Sequence, residues 1–392
     1  KSHRNTLVSS ARSMDKVVAR ASKIKKMNSQ SKTKDVSRVV LWTYRWNFLV
    51  RVLPLLILLA AFSLSNLTSS AQSQPPETVT LRVSAYLSPL SHSVQNIYTP
   101  WMKRVSEASD NRIKFETYWG GGLGRNPYKQ FDLVKAGITD VGLVQPSYTP
   151  GQFPQLQALG LPFLMRSSME ASLVAWRLYE RNLISGFDDV HLLGLWTAEP
   201  SNLYTREPIK KYADIASLKI RSVGRLEGDF LKRLGAVPEA LHPADAVEAL
   251  RRGTIDGAIQ GWIAINTFQT YRETSHVITA PLGTVSFGIM MNEDKWESIP
   301  ADLQAIINEN SGAIIAMLGG QAYDRRQAEI SKRLRDENHL IFVDANPEEI
   351  EEMKSYVKPI ADTWAERTPR GAETYRAIQD ILADLRRRER QL

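Results

Sequence analysis

The amino-acid sequence predicts an α/β protein built as two lobes, with a ligand cleft between them and long helices toward its C-terminus. Three observations carry that reading. Short alternating or apolar runs take turns with segments of helical period from residue 78 to about 300; the rhythm breaks at Glu199-Pro200-Ser201-Asn202 and resumes; beyond residue 301 the period is helical apart from one short run. Such alternation argues for two mostly parallel sheets covered by helices, with ligands beyond the carboxyl ends of the strands. A chain of 392 residues is long enough for two such units.

Residues 1–40 are rich in Lys, Ser and Arg, lack hydrophobic periodicity and begin without Met, which reads as a disordered leader or translated upstream sequence. Residues 41–71 read as a signal peptide. Arg45 and Arg51 precede the apolar run Val52 to Leu64, and Ser69-Ser70-Ala71 offers the small residues that a signal peptidase accepts. Cleavage after Ala71 and export to the periplasm are predicted. The competing reading is a retained anchor, although the apolar core is shorter than the roughly 20 residues that span a bilayer.

In the body of the chain, VTLRVS (79–84) alternates as a half-buried strand, and Tyr98, Trp101, Met102 and Val105 recur at helical spacing. RIKFETY (112–118) is a second strand, residues 126–136 a helix and VGLVQ (141–145) an apolar strand. Residues 146–162 are proline- and glycine-rich and read as a loop, followed by a helix over 168–183 and the buried strand HLLGLWT (191–197). Pro, Ser and Asn at 200–202 suit a crossover between lobes.

Past the crossover come LKIRS (218–222) as a strand, a helix over 226–234, a turn at Gly235-Ala236-Val237-Pro238, a helix over 243–251 and a strand running into AIQGW. Strands over 277–281 and 285–291 return the chain, and long helices fill 301–335 and 348–390 around a short strand at 340–343. The first lobe is accordingly expected to hold residues 78–198 and 284–325. The second holds 199–283 and 326–392, with a connecting helix.

The composition excludes several functions. Net charge is +8, but residues 1–71 hold 13 Lys and Arg against 2 Asp and Glu, leaving 37 against 40 in the rest, so the body is slightly acidic and no nucleic-acid partner is expected. The absence of cysteine removes disulfides, thiolate chemistry and zinc–thiolate sites. GGGLG (120–124) continues into Arg125 where a dinucleotide fingerprint needs Gly, and no GK[ST] follows. Six scattered histidines give no ligand pair, so no metal and no cofactor is expected. No GxSxG elbow appears, and Asp140 and Asp256 sit in turn contexts. A secreted hydrolase using Glu199 and Asp256 remains a weak alternative.

Seven blocks in order, LRVS, RIKFETYWGGGLG, KAGITDVG, YTPGQFPQLQALGLPFL, LKIRS, GAVPEALHPADAVEALRRGTIDGAIQG and FGIMMNEDKWESIPADLQAII, resemble the substrate-binding subunits of tripartite ATP-independent periplasmic (TRAP) transporters. The resemblance covers nearly all of residues 78 to about 325. It implies a periplasmic-binding-protein-like fold, no catalysis, delivery of cargo to membrane permease subunits, and a carboxylate ligand held by Arg221. The guanidinium fork matches a carboxylate in shape as well as charge.

Family members often carry a second arginine just after the crossover. Here that stretch reads AEPSNLYT and offers Asn202, which favours a monocarboxylate over a dicarboxylate. Tyr86, Gln145 and Tyr148 follow first-lobe strands, while Gln260 and Trp262 follow the strand beginning near Ile255, all in places where side chains can line a small-molecule site. The predicted function is capture of a small organic acid for a permease. The alternative within binding proteins is a ligand sensor or scavenger.

Overall fold

The computed structural model describes residues 77–391; the leader and signal segment predicted over residues 1–71 lie outside the described residues. The first elements are β1 (Val79–Ser84), a π-helical turn (Val94–Tyr98) running into α1 (Thr99–Ala108), β2 (Ile113–Tyr118), α2 (Gln130–Lys135), β3 (Val141–Val144), α3 (Ser168–Glu180) and β4 (Val190–Thr197). Next come β5 (Asn202–Thr205), β6 (Lys219–Ser222), α4 (Arg225–Arg233), β7 (Val237–Ala240), α5 (Pro243–Arg251), β8 (Gly257–Gln260), α6 (Trp262–Thr267) and β9 (His276–Ile278). The chain finishes with β10 (Ser286–Asn292), α7 (Glu293–Glu297), α8 (Ala301–Glu309), α9 (Ala313–Asp336), β11 (Ile341–Val343), α10 (Pro347–Arg367) and α11 (Gly371–Glu389).

The local reasons are ordinary ones. β1 buries Leu81 and Val83 on its inner face. Ser167 opens α3 by accepting the Glu170 amide, and Asn346 with Glu349 forms a reciprocal capping box at the start of α10.

The strands form two sheets, one in the order β2-β1-β3-β10-β4 and the other β11-β9-β5-β8-β6-β7. β1 pairs in parallel with β2 and β3, whereas β10 runs antiparallel to β3 and β4. In the second sheet β6 is parallel to β7 and β8, and β5 is antiparallel to β8 and β9. The antiparallel strands β5 and β10 are the two that follow the crossings. The chain leaves the first sheet after Thr197 and comes back before Ser286. The two crossing segments are tied to each other, Ala198 N–H donating to Val285 (2.9 Å), Ser201 N–H to Gly283 (2.9 Å) and Leu282 N–H back to Ser201 (2.9 Å).

α9 packs on β4 and α3 of the first sheet's layer and on α6 of the second. Its approach is close enough that a Cβ on Gly319 would stand 2.3 Å from Trp196. No helix among the described residues is long and apolar enough to cross a membrane.

Four features differ from the sequence reading. β5 (NLYT) and α6 were not expected; all four residues of β5 are buried, so it carries no alternation to reveal it. β7 begins at Val237, within the second half of the expected Gly-Ala-Val-Pro turn, and Pro238 fits because β7 is an edge strand whose outer side makes no ladder. The loop 146–162 contains two 3-10 turns, Pro146–Tyr148 and Gln155–Gly160. Finally, residues 326–392 do not side with the second lobe alone: α10 packs on α4, but α11 lies against α3, where Thr374 Oγ1 bonds the Leu183 carbonyl (3.1 Å).

Candidate ligand-binding site

The carboxyl ends of β1, β3 and β4 from one sheet and β6 and β8 from the other converge on a cavity of about 120 Å³. That is of the order of the ~150 Å³ cavity that holds one benzene ring. Its walls carry Tyr86, Tyr148, Phe268, Phe287 and Tyr323, with His92 and His242 at the edges. It adjoins an open groove of about 1320 Å³ whose lining includes Arg125, Asp245, Asn266, Gln321 and Arg325. Across the opening, the Tyr148 ring stands 6.0 Å from His242, which in turn meets Phe268 edge-on at 5.7 Å.

Arg221 is the Lys or Arg side chain that lines this cavity. β6 ends one residue after it, so the side chain leaves the sheet at its carboxyl edge, 1% exposed. Nε donates to the Leu241 carbonyl (2.8 Å) and Nη1 to the Ile259 carbonyl (2.8 Å), which locks the plane of the guanidinium. Nη2 is buried with no partner, and among the described residues Arg221 makes no salt bridge. Burial pushes the guanidinium below its ordinary value, and the nearby Glu227 charge opposes that shift. Glu227 is itself pushed up to about 7 by burial, and its Oε2 accepts the Val223 amide (2.9 Å). The cavity therefore presents a cation whose remaining donors point at nothing in the protein, a costly arrangement for a purely structural residue.

Of the other residues singled out in the sequence, Tyr86, Gln145, Tyr148 and Gln260 line the cavity. Tyr86 OH donates to Gln145 Oε1 (3.0 Å), and Gln145 Nε2 donates to Ser147 Oγ (3.0 Å). Both amide atoms of Gln260 are buried and unpartnered. Burial pushes the Tyr86 and Tyr148 phenols well above their ordinary range, so both stay neutral.

Asn202 and Trp262 do not reach the cavity, which corrects the expectation for both. Asn202 Oδ1 accepts the Ala280 amide (3.2 Å), tying β5 to the returning segment. The chain turns at Gly261, so Trp262 enters α6 facing the core, stacked on Phe342 (5.6 Å) and edge-on to Tyr204 (5.6 Å).

Sequence reasoning missed Tyr323, Ser93 and Phe287 as lining residues. Tyr323 sits on α9, where helical period marks it as core, and its hydroxyl is 2.7 Å from Ser93 Oγ. Glu199, considered only as a hydrolytic acid, lines the cavity from the first crossing segment. Among the described residues, no group of three or more metal-ligating side chains stands together.

Residues 83–368 match the family described as bacterial extracellular solute-binding protein, family 7. A TRAP solute-binding protein from Rhodoferax ferrireducens, crystallised with copurified benzoate, superposes with a TM-score of 0.73 at 28% identity, covering 78% of this chain and 98% of that one. A marine-metagenome TRAP solute-binding protein specific for aromatic acid ligands, in complex with 3-hydroxybenzoate, gives a TM-score of 0.74 at 26% identity over 79% and 99%. The C4-dicarboxylate-binding periplasmic protein of Rhodobacter capsulatus is 22% identical, over 78% of this chain and 95% of that protein.

Proposed function

The chain belongs to the family 7 bacterial extracellular solute-binding proteins, and from that premise we propose that it captures a small monocarboxylic acid, foremost an aromatic one, and passes it to a membrane permease. The observation that carries the reading is the buried, unpartnered Nη2 of Arg221 in an aromatic-walled cavity. A ligand carboxylate supplies the acceptor that the guanidinium lacks, and the tyrosine and phenylalanine faces take the ring. A dicarboxylate would leave its second charge buried without a Lys or Arg beside it.

Capture proceeds by the two lobes turning about the paired crossing segments at 198–202 and 281–285, which shuts out water and strengthens the ion pair. Export through the segment 41–71, with cleavage after Ala71, is part of the same proposal. Micromolar affinity corresponds to about −8 kcal/mol. The arginine contact contributes a few kcal/mol of it, and burial of the ring the larger part of the rest.

Titration calorimetry with benzoate tests this. Wild type binds, and Arg221→Ala binds more weakly by roughly 2–5 kcal/mol while keeping its cooperative melt. Equal affinity in the two proteins sinks the assignment.

A further inference from the structure

The cavity that Arg221 serves also contains a carboxyl group, and a carboxylate beside an anion site is repulsive. Glu199 is 1% exposed. Its Oε1 accepts a 2.7 Å hydrogen bond from the Ile263 amide. It lies so tightly on the turn before α6 that a Cβ on Gly261 would stand 2.5 Å from Oε1, so only glycine leaves room for it. The other oxygen, Oε2, is buried without a partner, and the residue lines the cavity. With one oxygen held as an acceptor, a proton on this group sits on Oε2, the atom left free to meet a guest.

We propose, resting on the acid-binding role given to Arg221, that Glu199 meets the ligand as a neutral carboxylic acid. Its Oε2–H donates to an oxygen of the bound acid, so the protein takes up an anion and a proton together. The proton comes from solvent and no covalent bond to carbon changes.

The surrounding charges favour that state. Asp324 on α9 adds negative charge; Tyr204 on β5 and Tyr323 on α9 are phenols held neutral by burial. Burial pushes Glu199 up to about 7, against the backbone amides of Ile263 and of Glu199 itself, which favour the charged form, and with a smaller push upward from Asp324; an arriving carboxylate raises it further. Arg221 and His242 come from the second sheet's side of the cavity and His92 from the first. Burial lowers both histidines, so they have lost their protons by neutral pH and leave the alkaline side to Glu199.

Calorimetry with benzoate from about pH 6.5 to about pH 8.5, in pairs of buffers with different ionisation heats, counts the protons. Above neutrality wild type is expected to take up close to one proton per benzoate, its affinity falling toward about tenfold per pH unit. Glu199→Gln can still accept from Ile263 through its amide oxygen and place N–H donors where Oε2 stood. Whatever its affinity near neutrality, it should show no alkaline slope and no proton uptake.

A flat wild-type profile, or a slope that survives in E199Q, overturns the proposal. Should E199Q fail to fold, the wild-type proton count decides alone. Absence of binding at every pH is a failure of the acid-binding role, which takes this proposal with it, whereas pH-independent binding removes this proposal and leaves that role standing.

Discussion

Arg386 and Arg221 are two arginines of one molecule satisfied in opposite ways. Arg386, on α11, donates Nε to Glu170 Oε1 (2.5 Å) and Nη2 to Glu170 Oε2 (2.9 Å) and to the Leu164 carbonyl (2.9 Å), so its fork is closed on a carboxylate of α3. Arg221 is more deeply buried, yet it spends its donors on two backbone carbonyls and leaves Nη2 without a partner. A closed fork fastens one helix to another. An open one, with its plane already fixed, is what the proposed capture of a carboxylate requires. Charge alone does not separate the two; burial and the count of unmet donors do.

Arg386→Ala breaks the comparison most forcefully if the closed fork is mere fastening. Removing it strands Glu170, whose side chain is 9% exposed, while the 23% exposure of Arg386 lets water reach part of the site. The expected loss is roughly 2–3 kcal/mol of stability, read from denaturant unfolding, with benzoate affinity unchanged. The Arg221→Ala protein should show the reverse pattern. A loss of affinity in the Arg386 variant would mean that the C-terminal helix takes part in capture.

Glu227 sharpens the same contrast, because it is the carboxylate that could have closed the fork of Arg221 and instead accepts the Val223 amide. Burial pushes it up to about 7. A carboxyl whose folded pKa exceeds its unfolded value near 4.3 binds more protons folded than unfolded between those values. Its contribution to stability is therefore intact below the unfolded pKa and is lost as pH rises toward 7. Glu227→Gln cannot ionise, so it should melt like wild type near pH 4 and above it near pH 8. The difference should be on the order of 1–2 kcal/mol, since local relaxation softens a buried charge. His92, His191 and His242, all lowered by burial, bend both profiles alike below pH 6.5, so the difference between the proteins is the quantity to read. Profiles that stay parallel would show that Glu227 ionises in the folded protein as it does in the unfolded chain, which would remove burial as the cause of any shift.

The strands and helices were legible because period survives in a linear chain. β1 spans Val79–Ser84, as its alternation indicates, and the long helices at 313–336, 347–367 and 371–389 follow from apolar spacing. β5 escaped because a strand buried on both faces has no alternation, and β7 because Pro238 imitates a turn. The cavity was legible at strand ends, as at Arg221, Gln145 and Gln260, and in the turns just beyond them, as at Tyr86 and Tyr148. Trp262, two positions past Gln260, rotates away once the chain turns at Gly261. Tyr323 arrives from 230 residues beyond Ser93, its hydroxyl partner, and no local pattern announces such a meeting.

The smallest effect concerns Tyr86, and it decides whether the first lobe touches the guest or only arranges what does. Tyr86 OH holds Gln145 Oε1 while Ser147 Oγ accepts from Gln145 Nε2, so the amide is oriented from both ends. Tyr86→Phe keeps the ring and removes one hydrogen bond, which should weaken benzoate binding by about 0.5–1.5 kcal/mol. If the phenol acts through Gln145, the same change should add little in a Gln145→Ala background, because the amide it steadies is gone. If instead the hydroxyl contacts the acid directly, the two losses should add. Calorimetry on the four proteins of this cycle separates the cases. Additive losses would make Tyr86 a ligand contact in its own right, and the first lobe would then match the open fork of Arg221 with a polar contact of its own.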